Sequence, residues 1–131
     1  MLAAFHGKLD RIEQLLRAGA DIEARCETWN PLHAAIENWQ TAAVQLLLDR
    51  GANPNGLIDG WTPLFHALEL EWDVASNKTP FAAPVPELSA ILIRRGADPN
   101  LPGPDGRSLI AHFGSYYDRA VEMLAAAGGA R

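Results

Sequence analysis

The side chains with chemistry to offer are few, and most of them sit in one stretch. His66, Glu69, Glu71 and Asp73 read H-x-x-E-x-E-x-D. Imidazole and carboxylate are both metal ligands, and helix positions three apart share a face, so His66 and Glu69 define the one spacing that could hold a cation or small polar ligand. Two ligands at one helical spacing do not complete a set. No metal and no cofactor is therefore expected, and a metal- or small-molecule-binding domain built on His66 and its carboxylates stands as an alternative function. Cys26 is the single cysteine, so an internal disulfide is impossible and a reducing, cytoplasmic setting is expected. The chain contains no G-x-S-x-G, no phosphate-cradling glycine loop, no C-x-x-C and no H-E-x-x-H. It does not read as an enzyme, and no catalytic residue is assigned.

Charge narrows the partners. Sixteen Asp and Glu face eleven Lys and Arg, a formal net charge of −5 over 131 residues. Non-specific nucleic-acid binding needs a basic face and is excluded. No apolar run approaches the roughly 18 residues of a membrane span, and Met1–Gly7 is too short for a secretory core, so no membrane role is expected. Between Gly51 and Asn77 there is no Lys or Arg, while Asp59, Glu69, Glu71 and Asp73 are all acidic. Glu37 holds the place of Glu69 one unit earlier, and Trp39 and Trp72 lie beside these two acidic groups. Such a patch steers a basic partner and sets specificity more than affinity. The competing reading is a solvated pair of helix ends.

The elements that must position these groups repeat. Gly60–Leu68 reads GWTPLFHAL: a glycine turn, a capping Thr62, and Pro63 at the first helical position, where its missing N–H costs nothing. Thr28–Ile36, TWNPLHAAI, repeats this with Asn30 as cap, and Gly106–Gly114, GRSLIAHFG, repeats it faintly with Ser108. Second helices follow, carrying Leu9, Ile12, Leu15 and Leu16, then Val44, Leu46, Leu47 and Leu48, then Leu88, Ile91, Leu92 and Ile93, then Val121, Met123 and Leu124 over Arg119–Ala127. They stop at Gly19, Gly51, Gly96 and Gly128. The steps Gly19 to Gly51 and Thr28 to Gly60 are equal, and a fixed step of this size is the mark of a repeat array. Gly51 to Gly96 is longer, and the excess falls inside the third unit. There Glu71–Pro86 holds three prolines and cannot be continuous helix.

TWNPLHAA, GWTPLFHA, RAGADIEA, DRGANPN and RRGADPN resemble the ankyrin repeat, a β-turn and two helices of about 33 residues. The resemblance covers nearly the whole chain. It implies an all-α solenoid of about four helix-turn-helix repeats (about 1–25, 26–56, 57–101 and 102–131), with an insertion at about 74–86. Three departures stand out: an abbreviated first unit, the insertion, and Leu109 and Ala111 in place of the family's Pro and His. The resemblance also implies that first helices and turn tips line a concave face that grips another protein, and that His33 is structural. Trp29, Trp61 and Arg107 occupy one repeat position and form a row on that face, either as interface anchors or as packing between turns. The expected contact residues are Trp29, Glu37, Asn38, Trp39, Asp59, Trp61, Glu69, Glu71, Trp72, Asp73, Arg107 and Tyr116. A monomeric protein-binding module with a basic partner, a toxin or effector, is the expected function. In style and charge the chain is similar to bacterial ankyrin proteins, for which an immunity protein that covers a toxin's active site is an alternative.

Overall fold

Three helices begin where a short polar side chain closes the first turn. Asn30 Oδ1 accepts the backbone N–H of His33 at 3.0 Å, Thr62 Oγ1 that of Phe65 at 3.0 Å, and Ser108 Oγ that of Ala111 at 3.1 Å. Each cap satisfies one of the donors that a helix N-terminus leaves unpaired. Pro31 and Pro63 take the next position, and Leu109 does so in the last copy. In this computed structural model, which describes residues 8–25, 29–76, 87–114 and 117–118, the helices are α1 (Leu9–Arg17), α2 (Pro31–Glu37), α3 (Thr41–Asp49), α4 (Pro63–Ser76), α5 (Glu87–Arg94) and α6 (Leu109–Phe113).

The helices α1, α3 and α5 stop in one way. Gly19, Gly51 and Gly96 take φ of 93°, 97° and 101°, which only glycine adopts cheaply. In each case the next residue's N–H reaches back to a carbonyl on the helix: Ala20 to Leu15, Ala52 to Leu47 and Ala97 to Leu92. This left-handed cap turns the chain out of the helix towards the next repeat.

Two rows result. The inner row is α2, α4 and α6, packed in that order, and the outer row is α1, α3 and α5. α2 also packs on α3, and α4 on α5. Between the rows lies one core in which Leu32, Ile36, Val44, Leu47, Leu64, Leu68, Leu88, Leu92 and Leu109 are at most 1% exposed. Each such side chain contributes about 1.5–3 kcal/mol on burial. Polar staples repeat along the array. Arg50 binds Glu13 at 2.5 and 2.9 Å, and Arg95 at the equivalent position binds Asp49 at 2.5 Å. Between the turns, Glu23 accepts the N–H of Asn53, and Asn55 accepts that of Asp98, both at 2.7 Å.

α4 departs from the sequence expectation in length. It runs 14 residues to Ser76, into the span assigned to the insertion. The reason is local: the first proline of that stretch is Pro80, and nothing before it breaks the helix. Residues 77–86, the abbreviated first helix Leu2–His6, Cys26, Thr28, Tyr116 and the expected helix Arg119–Ala127 lie outside the described residues.

One glycine is required by packing rather than by its backbone. A Cβ on Gly103 would sit 2.5 and 2.6 Å from Cε2 and Cδ2 of Phe65, a ring only 3% exposed. Gly103→Ala should therefore cost about 1–3 kcal/mol, read as a lower urea midpoint, and Phe65→Leu in the same background should restore part of it. An unchanged midpoint in Gly103→Ala would disprove the close contact.

Candidate functional site

The inner row ends in finger-like turns. Ile58 and Trp61 exchange both backbone hydrogen bonds, at 3.0 and 2.9 Å, around Asp59 and Gly60 with φ of 52° and 87°. Two positive φ values in sequence define a type I′ turn. Asp tolerates this conformation better than most residues. Its carboxylate also grips Arg25 through two bonds, at 3.2 and 2.6 Å, and that guanidinium holds the Asp59 carboxyl below its ordinary range.

The turn presents Trp61 next to Trp29. Their rings are 6.0 Å apart and nearly perpendicular, and both are half-buried. Trp29 stacks on His33 at 5.1 Å and on His66 at 4.4 Å. Trp61 meets Phe65 edge-on at 4.8 Å. The row therefore packs between repeats and presents aromatic surface at the same time. Arg107, third in the row, is exposed and bends back to the Ala111 carbonyl at 3.0 Å.

Beneath the tryptophans runs a buried polar chain. His33 Nε2 is 3.2 Å from the Gly56 carbonyl, and His33 Nδ1 is 2.9 Å from His66 Nδ1. His66 Nε2 is 2.7 Å from Glu37 Oε1. Burial lowers both imidazoles to about 4, with the neighbouring His66 adding to the effect on His33. Burial also raises Glu37, whose side chain is still 40% exposed. One repeat on, Glu69 and His112 occupy the places of Glu37 and His66, at 3.6 Å. The other nitrogen of His112 lies 3.4 Å from Asp105. Asp105 is held low chiefly by the backbone N–H of Arg107, with His112 adding to it.

Glu71 corrects the sequence reading. The sequence puts it on the acidic surface, and in the structure it is fully buried. Its Oε2 accepts the backbone N–H of Leu88 at 2.7 Å and of Ser89 at 3.4 Å, and its Oε1 accepts the Ser89 hydroxyl at 2.6 Å. It caps the N-terminus of α5 from α4. The extended α4 carries it there, which no local pattern around Glu71 signals. Burial pushes its carboxyl up to about 7, against the opposing pull of these donors. The metal alternative also loses its geometry. His66, Glu69 and Glu71 turn to Glu37, His112 and α5 respectively, and among the described residues no group of three or more His, Cys, Asp or Glu could hold a metal ion.

The remaining expected contact residues scatter. Asn38 and Trp39 form the α2–α3 connection, where Trp39 takes φ 54° and is 37% exposed. Trp72 is 41% exposed, 6.4 Å from the Phe113 ring, and Asp73 beside it is exposed. Tyr116 is outside the described residues, and Tyr117 is buried. What the sequence reading missed is the meeting of His33 with His66. The available signal was His66 standing one repeat period after Ala34, where a buried position changes from methyl to imidazole.

Paired helices in two rows, joined by finger turns, define an α-solenoid of stacked repeats. The chain belongs to the ankyrin-repeat family: the family model for ankyrin repeats (3 copies) matches residues 1–76. It is similar to "Ankyrin repeat protein nuc-2" of Neurospora crassa, 36% identical over 126 residues, which is 94% of this chain and 10% of that protein. It is similar to mouse 2-5A-dependent ribonuclease over 51 residues at 43% identity, 37% of this chain and 7% of the enzyme. The chain thus spans about a tenth or less of these relatives. Among solved structures, the ankyrin repeat domain of Bcl-3, of the IkappaB protein family, matches with a TM-score of 0.66 and 30% identity, over 86% of this chain and 44% of that one. Ankyrin repeats are in general protein–protein interaction modules, and typically scaffolds rather than enzymes. Among the described residues no helix is long and apolar enough to cross a membrane.

The buried carboxyl makes a signed prediction. A raised folded pKa means that Glu71 contributes stability fully below about pH 4.5, lost as pH rises through about 7. The lowered histidines act oppositely, contributing above about 6.5 and losing it as pH falls through about 4. Glu71→Gln keeps an acceptor for α5 and cannot ionise, so it isolates the first effect. Relative to wild type, the Gln variant should gain about 1–3 kcal/mol between pH 5 and pH 8 in urea titrations. A pH-independent difference would show that Glu71 has the same ionisation behaviour folded and unfolded.

Proposed function

We propose that this chain binds a partner protein through the face formed by its inner helices and finger turns, and performs no chemistry of its own. The observation that carries this is the Trp29–Trp61 pair, two half-buried indoles 6.0 Å apart on adjacent repeats. Tryptophan is among the residues that most often anchor interfaces. Here both rings are already held by His33, His66 and Phe65, so a partner does not have to order them.

Charge sets the kind of partner. Asp59 is neutralised by Arg25, and Asp105 lies near Arg107 and His112. Glu37, Glu69 and Asp73 keep substantial exposure and give the two inner helices α2 and α4 a negative charge. A basic segment of another protein, a toxin or effector among the candidates, suits those acids, with the chain acting as a monomer in a cytoplasmic setting. The toxin-inhibitor and metal-binding alternatives draw no support from the relatives or from the site geometry.

The test is capture of the partner from the source cell, followed by calorimetry with the purified pair. Trp61→Ala should weaken binding at least tenfold, and charge reversal of Glu37, Glu69 and Asp73 together should abolish it at low salt. Binding that survives both sets of substitutions would place the interface elsewhere.

A further inference from the structure

The chain His33–His66–Glu37 has three contacts to close and too few hydrogens to close them. Its contacts are Gly56 carbonyl to His33 Nε2 at 3.2 Å, His33 Nδ1 to His66 Nδ1 at 2.9 Å, and His66 Nε2 to Glu37 Oε1 at 2.7 Å. Each needs one hydrogen. Two neutral imidazoles carry two N–H groups, and a carboxylate and a carbonyl carry none. With both rings neutral and Glu37 ionised, one contact must therefore sit open. The short contact to a charged oxygen is the strongest of the three, and the contact to the neutral Gly56 carbonyl is the longest. The open contact then falls at Gly56, with His33 protonated on Nδ1 and His66 on Nε2.

One proton from solvent removes the deficit. With the proton on Glu37 or His66, every contact closes with the hydrogen of His33 on Nε2 and one of His66 on Nδ1; with the proton on His33, that ring carries both hydrogens and His66 keeps its own on Nε2. The Gly56 carbonyl then gains its donor. We propose that His33, His66 and Glu37 form a single proton-binding unit that sets the finger following Gly56: without the proton the finger base is unbonded to α2, and with it the base is tied down.

The surroundings isolate this unit. Trp29 covers both rings, and Trp61 stands edge-on to His66 at 5.7 Å. The other charged groups on the packed elements are engaged elsewhere or at the surface. Glu23 holds the Asn53 N–H and lies 3.5 Å from the Asn30 amide, and Asp59 holds Arg25. Glu69 faces His112, Glu71 caps α5, and Asp73 is exposed beyond the chain. Burial opposes charge on either ring and on Glu37 alike, which favours uptake onto the unit as a whole. The effect on binding rests on the proposed docking face, because the finger carries Trp61; the ring tautomers report the proton unit without any partner.

Glu37→Gln gives a direct test. Its amide N–H donates to His66 Nε2 and supplies the third hydrogen without a proton. Nitrogen-15 NMR of the full chain at pH 7.5 should show His33 as the Nδ1–H tautomer and His66 as Nε2–H in wild type. Both should be reversed in Glu37→Gln. On acidification the wild-type rings and the Glu37 carboxyl carbon should move with one common midpoint, a step absent from the variant. Should Glu37→Gln fail to fold, His66→Ala leaves His33 to donate through Nε2 to Gly56 at every pH, with Glu37 titrating alone. Identical tautomers in wild type and Glu37→Gln would overturn the proposal, as would His33 and His66 titrating separately from Glu37. If the tautomers reverse while Trp61→Ala leaves partner binding intact, the proton unit stands and the docking face fails.

Discussion

The described helix pairs present apolar stripes that their own two helices do not cover, and the neighbouring repeat covers them. The rest of the architecture follows from that constraint. Leu32, Ile36, Leu64 and Leu68 are buried because α2 and α4 lie side by side, and Val44, Leu47, Leu88 and Leu92 because α3 and α5 fill the outer row. Stability in such an array is close to a sum of repeat and interface terms. The repeat-to-repeat joints are therefore where a substitution is felt most, and where one repeat can be made to differ from the next. The repeated glycine caps at Gly19, Gly51 and Gly96 keep the joints geometrically alike while their chemistry varies.

That variation is visible at the finger bases. At the joint between α2 and α4, His33 reaches the Gly56 carbonyl and stacks under Trp29. At the following joint Phe65 replaces the imidazole and lies against Gly103, so close that a methyl group would collide. The finger base is polar at the first joint and apolar at the second, on the same backbone plan. A buried polar joint gains little net free energy over a well-packed apolar one, but it penalises any register in which its donors and acceptors go unpaired. The position held by Ala34 in the second repeat becomes His66 in the third and His112 in the fourth, and only His66 is fully buried against a second imidazole among the described residues.

Much of this was legible in the sequence, and the boundary is physical. Caps at Asn30, Thr62 and Ser108, proline at the first helical position and glycine after the last are local signals, and the structure places the caps, Pro31, Pro63, Gly19, Gly51 and Gly96 as read, with Gly128 outside the described residues. The Trp29–Trp61 adjacency followed from the repeat period read together with the resemblance to the ankyrin repeat. What could not be read was whatever depends on how far a helix extends or on which ring meets which across a joint. Glu71 looked like one acid among several until α4, running to Ser76, carried it under the N-terminus of α5. Charge counting also overstated the acidic surface. Glu71 is buried and Asp59 is paired, which leaves Glu37, Glu69 and Asp73 as the exposed acids among the described residues assigned to it.

The recurrence of Glu37–His66 as Glu69–His112 shows how one repeat position can serve two ends. In the first pair the imidazole is buried and both its nitrogens are engaged, so the carboxylate is drawn to 2.7 Å and its chemistry is tied to the core. In the second the imidazole is part-exposed, lies 3.6 Å from Glu69, and turns its other nitrogen towards Asp105 on the next finger. Equivalent acids on the two inner helices thus have different freedom to meet a partner's cation. Glu69 can turn to a partner at little internal cost, whereas recruiting Glu37 requires the buried histidines to rearrange their hydrogens. On the docking face proposed above, one pliant acid and one committed acid would discriminate among basic partners by position as well as by charge.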